Sequence, residues 1–304
     1  MHVLFGFGAA ALSGIGFALI GVAYRIGQAR GITPISILMI ACIGGVGYFS
    51  RQSNGVSLQS VPWVVWVLAI AAGIGQVLTV LLVPVALRYG PLTPLWCAVS
   101  LSFIPVTLLA HFLWGEGASA MQWLGVLMGA ACVVISAFAQ HPTPGLRQNP
   151  ARPGARAILL YAGLLALVLV SNSLLTIGMK YLGLAHWQGR TLGAAFSNIF
   201  LVGSYAALLL GMLLHQAVMR VTFSWRVLPL GLLAMLGSVG GLALLSHCSA
   251  LVPAALAFTA SGIVSLLAIA LIAVFAFRER ANVVWYAMMG TGVAAVVLVN
   301  IGKV

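Results

Sequence analysis

Ten apolar stretches of roughly twenty residues, separated by short polar breaks, constrain this chain more than any motif in it. They run approximately over 3–24, 33–50, 61–87, 91–113, 119–139, 157–179, 191–215, 226–246, 251–277 and 283–301. About 20 apolar residues in a helix cross the hydrocarbon core of a bilayer. Charged residues are only 5% of the chain, where a soluble domain carries roughly a quarter. So few charges cannot clothe a water-facing surface, and a segment in lipid must satisfy its own backbone hydrogen bonds. The expectation is an all-α integral membrane protein.

The acids are scarcer still. There is no Asp, and the two Glu, Glu116 and Glu279, stand 163 positions apart. Each closes an apolar run (HFLWGE116 and FAFRE279), and an aromatic follows seven residues later at Trp123 and Tyr286. A glycine follows thirteen residues later, at Gly129 and Gly292. This spacing predicts a duplicated unit. The Pro-marked turns YGPLTP94 and CSALVP253 and the cations after Tyr24 and Met179 recur in the same order. The segment from Gln140 to Arg156, with four prolines and three arginines, reads as an extramembrane linker. The expected units are 1–140, a linker at 141–156, and 157–304. Halves with an odd number of spans insert in opposite senses. The predicted architecture is therefore ten transmembrane helices, as two inverted five-helix repeats around a central cavity.

Pro84, Pro105 and Pro253 lie in or beside the third, fourth and ninth runs, which are expected to tilt or break there. The N-terminal run MHVLFGFGAAALSG has no basic leader and continues to Tyr24, so it reads as an uncleaved first helix. Cys42, Cys97, Cys132 and Cys248 sit in apolar runs without metal or redox spacing and read as buried small hydrophobes. Seven of the eight tryptophans fall at predicted helix ends, where an indole favours the headgroup zone, and Trp96 lies within a run.

The formal charge of +12 comes from 14 Lys and Arg scattered near helix ends. That pattern fits anionic lipid headgroups and not nucleic acid. With cytoplasmic termini, the cytoplasmic segments would hold only Arg51, Lys180, Arg190 and Lys303. The positive-inside rule therefore favours termini on the other side.

With Glu-closed fourth and ninth helices followed by WLGVLMG129 and YAMMGTG292, and with the ALRYGPLTP94 turn, the chain resembles the drug/metabolite transporter superfamily in its ten-helix, EamA-type branch. The likeness covers nearly the whole length. It implies a secondary transporter of the bacterial inner membrane, with many relatives exporting amino acids, metabolites or drugs. It also implies a cavity lined by the first four helices of each half, with the fifth and tenth peripheral, and cytoplasmic termini. Where that family commonly has a tryptophan-serine or tryptophan-glycine pair early in the first helix, this chain has SGIGF17.

No catalytic constellation is present in the sequence. Two separated Glu supply neither a carboxylate pair nor an oxygen cage, the six His form no HxxxH, and there is no Walker loop. An enzyme is not expected, nor a cofactor or metal. Gly125/Gly129 and Gly237/Gly241 read as helix-contact surfaces, leaving the chain a monomer or weak dimer.

Polar groups in mid-span are the informative ones, because burying an amide or hydroxyl without a partner costs about 1–3 kcal/mol. Ser13, Phe17 and Tyr24 share a face, as do Gln76 and Thr79, and Trp96, Ser100 and Phe103. The second half offers Asn172 and Thr176, then Asn198 and Tyr205, then Phe258, Ser261 and Ser265. Gln76, Asn172 and Asn198 carry most weight, since an amide has four hydrogen-bonding positions to satisfy. The candidate substrate-binding residues are Phe17, Gln76, Trp96, Ser100, Asn172, Asn198 and Ser261, with Arg25 and Lys180 at the rim. Pointing inward, Arg25 and Lys180 would suit a carboxylate or phosphate. Snorkelling to the headgroups is the competing reading.

The function expected is export of small organic solutes, amino acids or related metabolites, by alternating access without proton coupling. Its expected partners are the solute and membrane lipids. The alternatives are a carrier of phosphorylated or lipid-linked sugar and a non-transporting membrane scaffold.

Overall fold

Start and stop signals place the first helices. In this computed structural model α1 (His2–Ala29) stops at a glycine-closed turn. Gly31 adopts φ +69°, a conformation that only glycine enters without strain, and the Ile32 amide reaches back to the Gly27 carbonyl at 2.8 Å. Helix α2 (Pro34–Gln52) then opens on Thr33, whose side chain accepts from the Ser36 amide, with proline at the first position. The described residues are 2–53, 55–90, 92–115, 119–138, 155–187, 189–220, 224–249, 254–278 and 282–301. Glu116, Glu279 and nearly all of the 141–156 linker lie outside them, as do the side chains of Phe103, His247, Cys248 and Phe258.

The remaining elements are α3 (Trp63–Tyr89), α4 (Leu92–Ser100), α5 (Phe103–Trp114), α6 (Ala120–Phe138) and α7 (Ala155–Leu184). A hairpin of β1 (His186–Trp187) and β2 (Arg190–Thr191) precedes α8 (Leu192–Met219). Then come α9 (Leu228–Met235), a π-turn (Leu236–Gly240), α10 (Gly241–Ser249), α11 (Ala254–Phe275) and α12 (Val283–Ile301). The fold is all-α and of membrane type. Among the described residues, 7 helical segments are long and apolar enough to cross a membrane, and Ala120–Ile135, Ala260–Phe275 and Val283–Leu298 are shorter apolar helices.

Three local features depart from the apolar runs. The fourth run is broken into α4 and α5 at Leu101–Ser102, four residues before Pro105. A proline ring at that position excludes the carbonyl four residues back, and the Leu101 carbonyl takes the Ile104 amide instead, at 2.9 Å. Pro84, by contrast, sits inside an unbroken α3. The eighth run carries the π-turn, which no proline marks. Helix α7 begins two residues inside the expected linker.

Helix α6 opens on a reciprocal cap: the Ser119 amide donates to Gln122 Oε1 at 2.9 Å, and the Gln122 amide donates to Ser119 Oγ at 3.3 Å. Helix α12 opens on Asn282 Oδ1, which accepts from the Trp285 amide at 2.9 Å. These caps stand 163 positions apart, as the glutamates do.

Packing puts α1 against α10 and α11, and α7 against α3, α4 and α5. Helix α2 packs on α8 and α9, α8 also on α3, and α6 on α12. Glycines permit the closest approach. A Cβ on Gly16 of α1 would lie 3.2 Å from the Gly237 carbonyl oxygen and 3.4 Å from the Gly241 Cα. Gly129 faces Ile104 of α5, so this member of the Gly125/Gly129 pair packs internally. Cys42, Cys97 and Cys132 are buried free thiols.

Candidate functional site

A cavity of about 240 Å³ lies among the helices. Its wall takes residues from α1, α2, α3, α4, α7, α8, the π-turn with α10, and α11, together with Ser102 at the α4–α5 break. Helices α6 and α12 contribute none of the described lining residues.

One wall is polar. Asn172 of α7 donates through Nδ2 to the Val99 carbonyl at 3.1 Å and accepts from Gln76 Nε2 at 3.1 Å. One helical turn along, Thr79 shares a hydrogen bond with Ser171 at 2.8 Å. Ser100 and Thr176 line the same region. The break between α4 and α5 falls here, where a helix loses its regular hydrogen bonds at the edge of a cavity rather than against lipid.

The other wall is aromatic and aliphatic, with a few hydroxyls. Phe17, Tyr24 and Trp96 contribute rings, and Ile20, Leu242 and Leu245 contribute aliphatic surface. Trp96 donates its Nε1–H to Ser265 Oγ at 3.1 Å, which fixes the indole across the gap between α4 and α11. Ser13, fully buried behind this wall, donates to the Gly241 carbonyl at 2.8 Å and accepts from Ser261 at 3.2 Å. Tyr205 of α8 is bonded to Ser238, so the π-turn presents a hydroxyl that ties α8 to the eighth run.

Of the residues singled out from sequence, Phe17, Gln76, Trp96, Ser100, Asn172 and Ser261 line this cavity. Asn198 does not. Its Nδ2 donates to the Gln52 carbonyl at 3.3 Å in an exposed position at the end of α2. Arg25 and Lys180 are also absent from the lining. Arg25 is buried, donates to Gln28 Oε1 at 3.5 Å and lies over the Phe277 ring at 6.0 Å, so it braces the end of α1 against the segment after α11. Sequence reasoning missed Ser102, Ser204 and Ser238. Ser238 was within reach, because it stands 162 positions after Gln76, close to the spacing of the glutamates.

No protein-family model and no curated protein matches this chain. A solved crystal structure, described only as that of a protein, is similar at 18% identity over 98% of this chain and 94% of its own, with a TM-score of 0.59. At that identity the likeness concerns the fold alone.

Proposed function

We propose that this protein is a secondary transporter of the bacterial inner membrane that moves small organic solutes outward by alternating access. Two five-helix units of opposite orientation would enclose the cavity and rock about it. In this reading α4 with α5, and α9 with α10, are single broken spans, and the three shorter apolar helices complete ten crossings.

The observation that carries the reading is the register of the cavity wall. Phe17, Ile20 and Tyr24 recur 155 positions later as Asn172, Leu175 and Met179. Leu38 recurs 163 positions later as Leu201, and Gln76, Val80 and Val83 recur 162 positions later as Ser238, Leu242 and Leu245. Related faces of matched helices therefore point into one space. The packing pairs exchange in the same way: α1 on α10 and α11 answers α7 on α3 and α4. The resemblance to EamA-type drug/metabolite transporters accords with both. No described lining residue is Asp, Glu, His, Lys or Arg, which supports facilitated or exchange transport over proton coupling. With Arg25 and Lys180 off the lining, the phosphorylated-sugar alternative finds no cationic side chain among the described lining residues.

Counterflow of labelled amino acids and neutral metabolites in proteoliposomes tests the proposal. Saturable exchange is expected, at equal rates with and without an imposed pH gradient. Exchange that stopped when the gradient was collapsed would refute uncoupled transport. Absence of exchange for every solute would refute transport.

A further inference from the structure

A backbone carbonyl can only accept, and this sets the sense of a relay on the polar wall. The Val99 carbonyl takes Asn172 Nδ2, at 3.1 Å. Asn172 must therefore turn Oδ1 toward Gln76, which answers with Nε2 at 3.1 Å. With one of its two amino hydrogens committed there, Gln76 leaves Oε1 as the open acceptor of the chain, on a residue that lines the cavity.

A second relay runs in the same sense on the facing wall. The Gly241 carbonyl takes the Ser13 hydroxyl at 2.8 Å, and Ser13 takes the hydroxyl of Ser261 at 3.2 Å. Ser261 is left with lone pairs at the cavity. Both relays begin on main-chain oxygens that cannot reverse, so both end as acceptors. Gln76 keeps one further N–H, and the hydroxyls of Ser100 and Thr176 act in either sense, so an acceptor on the solute is accommodated but not required.

Charge supplies the other constraint. None of the described lining residues is Asp, Glu, Lys, Arg or His. An ion leaving water for such a wall incurs a desolvation cost that no partner offsets. The Trp96 N–H is already held by Ser265, so the indole offers the solute its ring rather than a donor.

Building on the transport reading, we propose that the cavity selects an uncharged amphipathic solute whose polar end carries an N–H or O–H donor for Gln76 Oε1 and Ser261 Oγ. Its apolar body lies against Phe17, Trp96 and Leu242.

The test uses the full chain in lipid nanodiscs with radiolabelled hydrocinnamamide as the probe. The competitors at neutral pH are N,N-dimethylhydrocinnamamide, which lacks the donor, hydrocinnamate and phenylpropylammonium. The unlabelled amide is expected to displace the probe at least about tenfold better than any competitor, the loss that about 1.4 kcal/mol represents. Gln76→Leu should weaken amide binding about tenfold and leave the dimethylated compound nearly unchanged. Gln76→Glu, which places a carboxylate at the open end, should raise the ammonium to at least parity with the amide. Binding that fails for all four compounds, or ions or the donor-free amide binding as well as the amide, would overturn the proposal. Counterflow on the same preparation separates the two claims. Amide binding without exchange refutes transport and leaves the solute class standing, whereas exchange that prefers the ions refutes the class and leaves transport standing.

Discussion

Asn172 and Asn198 are the same residue type, each in mid-run by sequence, yet their situations differ sharply. Asn172 bridges α7 to α4 and α3 through two bonds, while Asn198 reaches one exposed carbonyl. Replacing Asn172 with Leu strands the Gln76 amino group and leaves the Val99 carbonyl with the Ser102 amide alone, at 3.3 Å. A loss of about 1–3 kcal/mol is expected for each group left unsatisfied, read as a lower melting temperature of the purified protein. Asn198→Leu should stay within about 0.5 kcal/mol of the parent. Equal shifts in the two variants would contradict the relay. Both amides have four hydrogen-bonding positions to satisfy, but helix phase and depth separate them: Asn198 lies near the start of α8, level with the end of α2, and only packing reveals that height.

At the scale of elements, Pro105 and the glycines of α1 and α10 make opposite demands. Pro105 breaks the fourth span where Ser100 and Ser102 line the cavity. Pro105→Ala restores a backbone donor, so stability should change by less than about 1 kcal/mol while counterflow slows. Thermal melts and exchange rates on one preparation check both halves of that statement. Gly237 meets the Gly16 carbonyl oxygen directly, leaving no room for a side chain. Gly237→Leu should cost about 1–3 kcal/mol by overpacking, and Gly8→Leu should cost little, because nothing lies within 4 Å of a Cβ at Gly8. Some element-level signals were present and unused: the Ser119–Gln122 cap and the Asn282 cap are readable as helix starts. The π-turn had no such signal; its Gly237 meets Gly16 and its Ser238 bonds Tyr205, both contacts with distant segments.

For the whole molecule the open question is which way it faces. In the proposed ten-span reading, Arg25, Arg30, Arg88, Arg156, Arg220, Arg226 and Arg278 would fall at one end of the bundle, and all but Arg25 are exposed. The other end would hold Arg51, Lys180 and Arg190 among the described residues. The resemblance implies cytoplasmic termini, whereas this asymmetry puts the arginine-rich end in the cytoplasm and the termini outside. Fusing a phosphatase and a fluorescent protein in turn to the C-terminus decides between them. Phosphatase activity without fluorescence is expected, and the reverse pattern would show that the positive-inside rule is overridden here.

Sequence by itself determined the solvent. Apolar run length and the scarcity of charge dictate helices in a bilayer whatever their arrangement, because an unpaired backbone group in lipid is too costly for any other course. It also carried the duplicated spacing and most of the polar and aromatic residues that line the cavity, since both depend on local periodicity. Tertiary structure alone decided which polar faces meet, because contacts between distant segments depend on the relative depth and rotation of packed helices. It joined Gln76 to Asn172 and Ser13 to Gly241 and Ser261, and it placed Asn198, Arg25 and Lys180 off the cavity wall. The two glutamates mark the period of the chain, and that period recurs in the cavity wall.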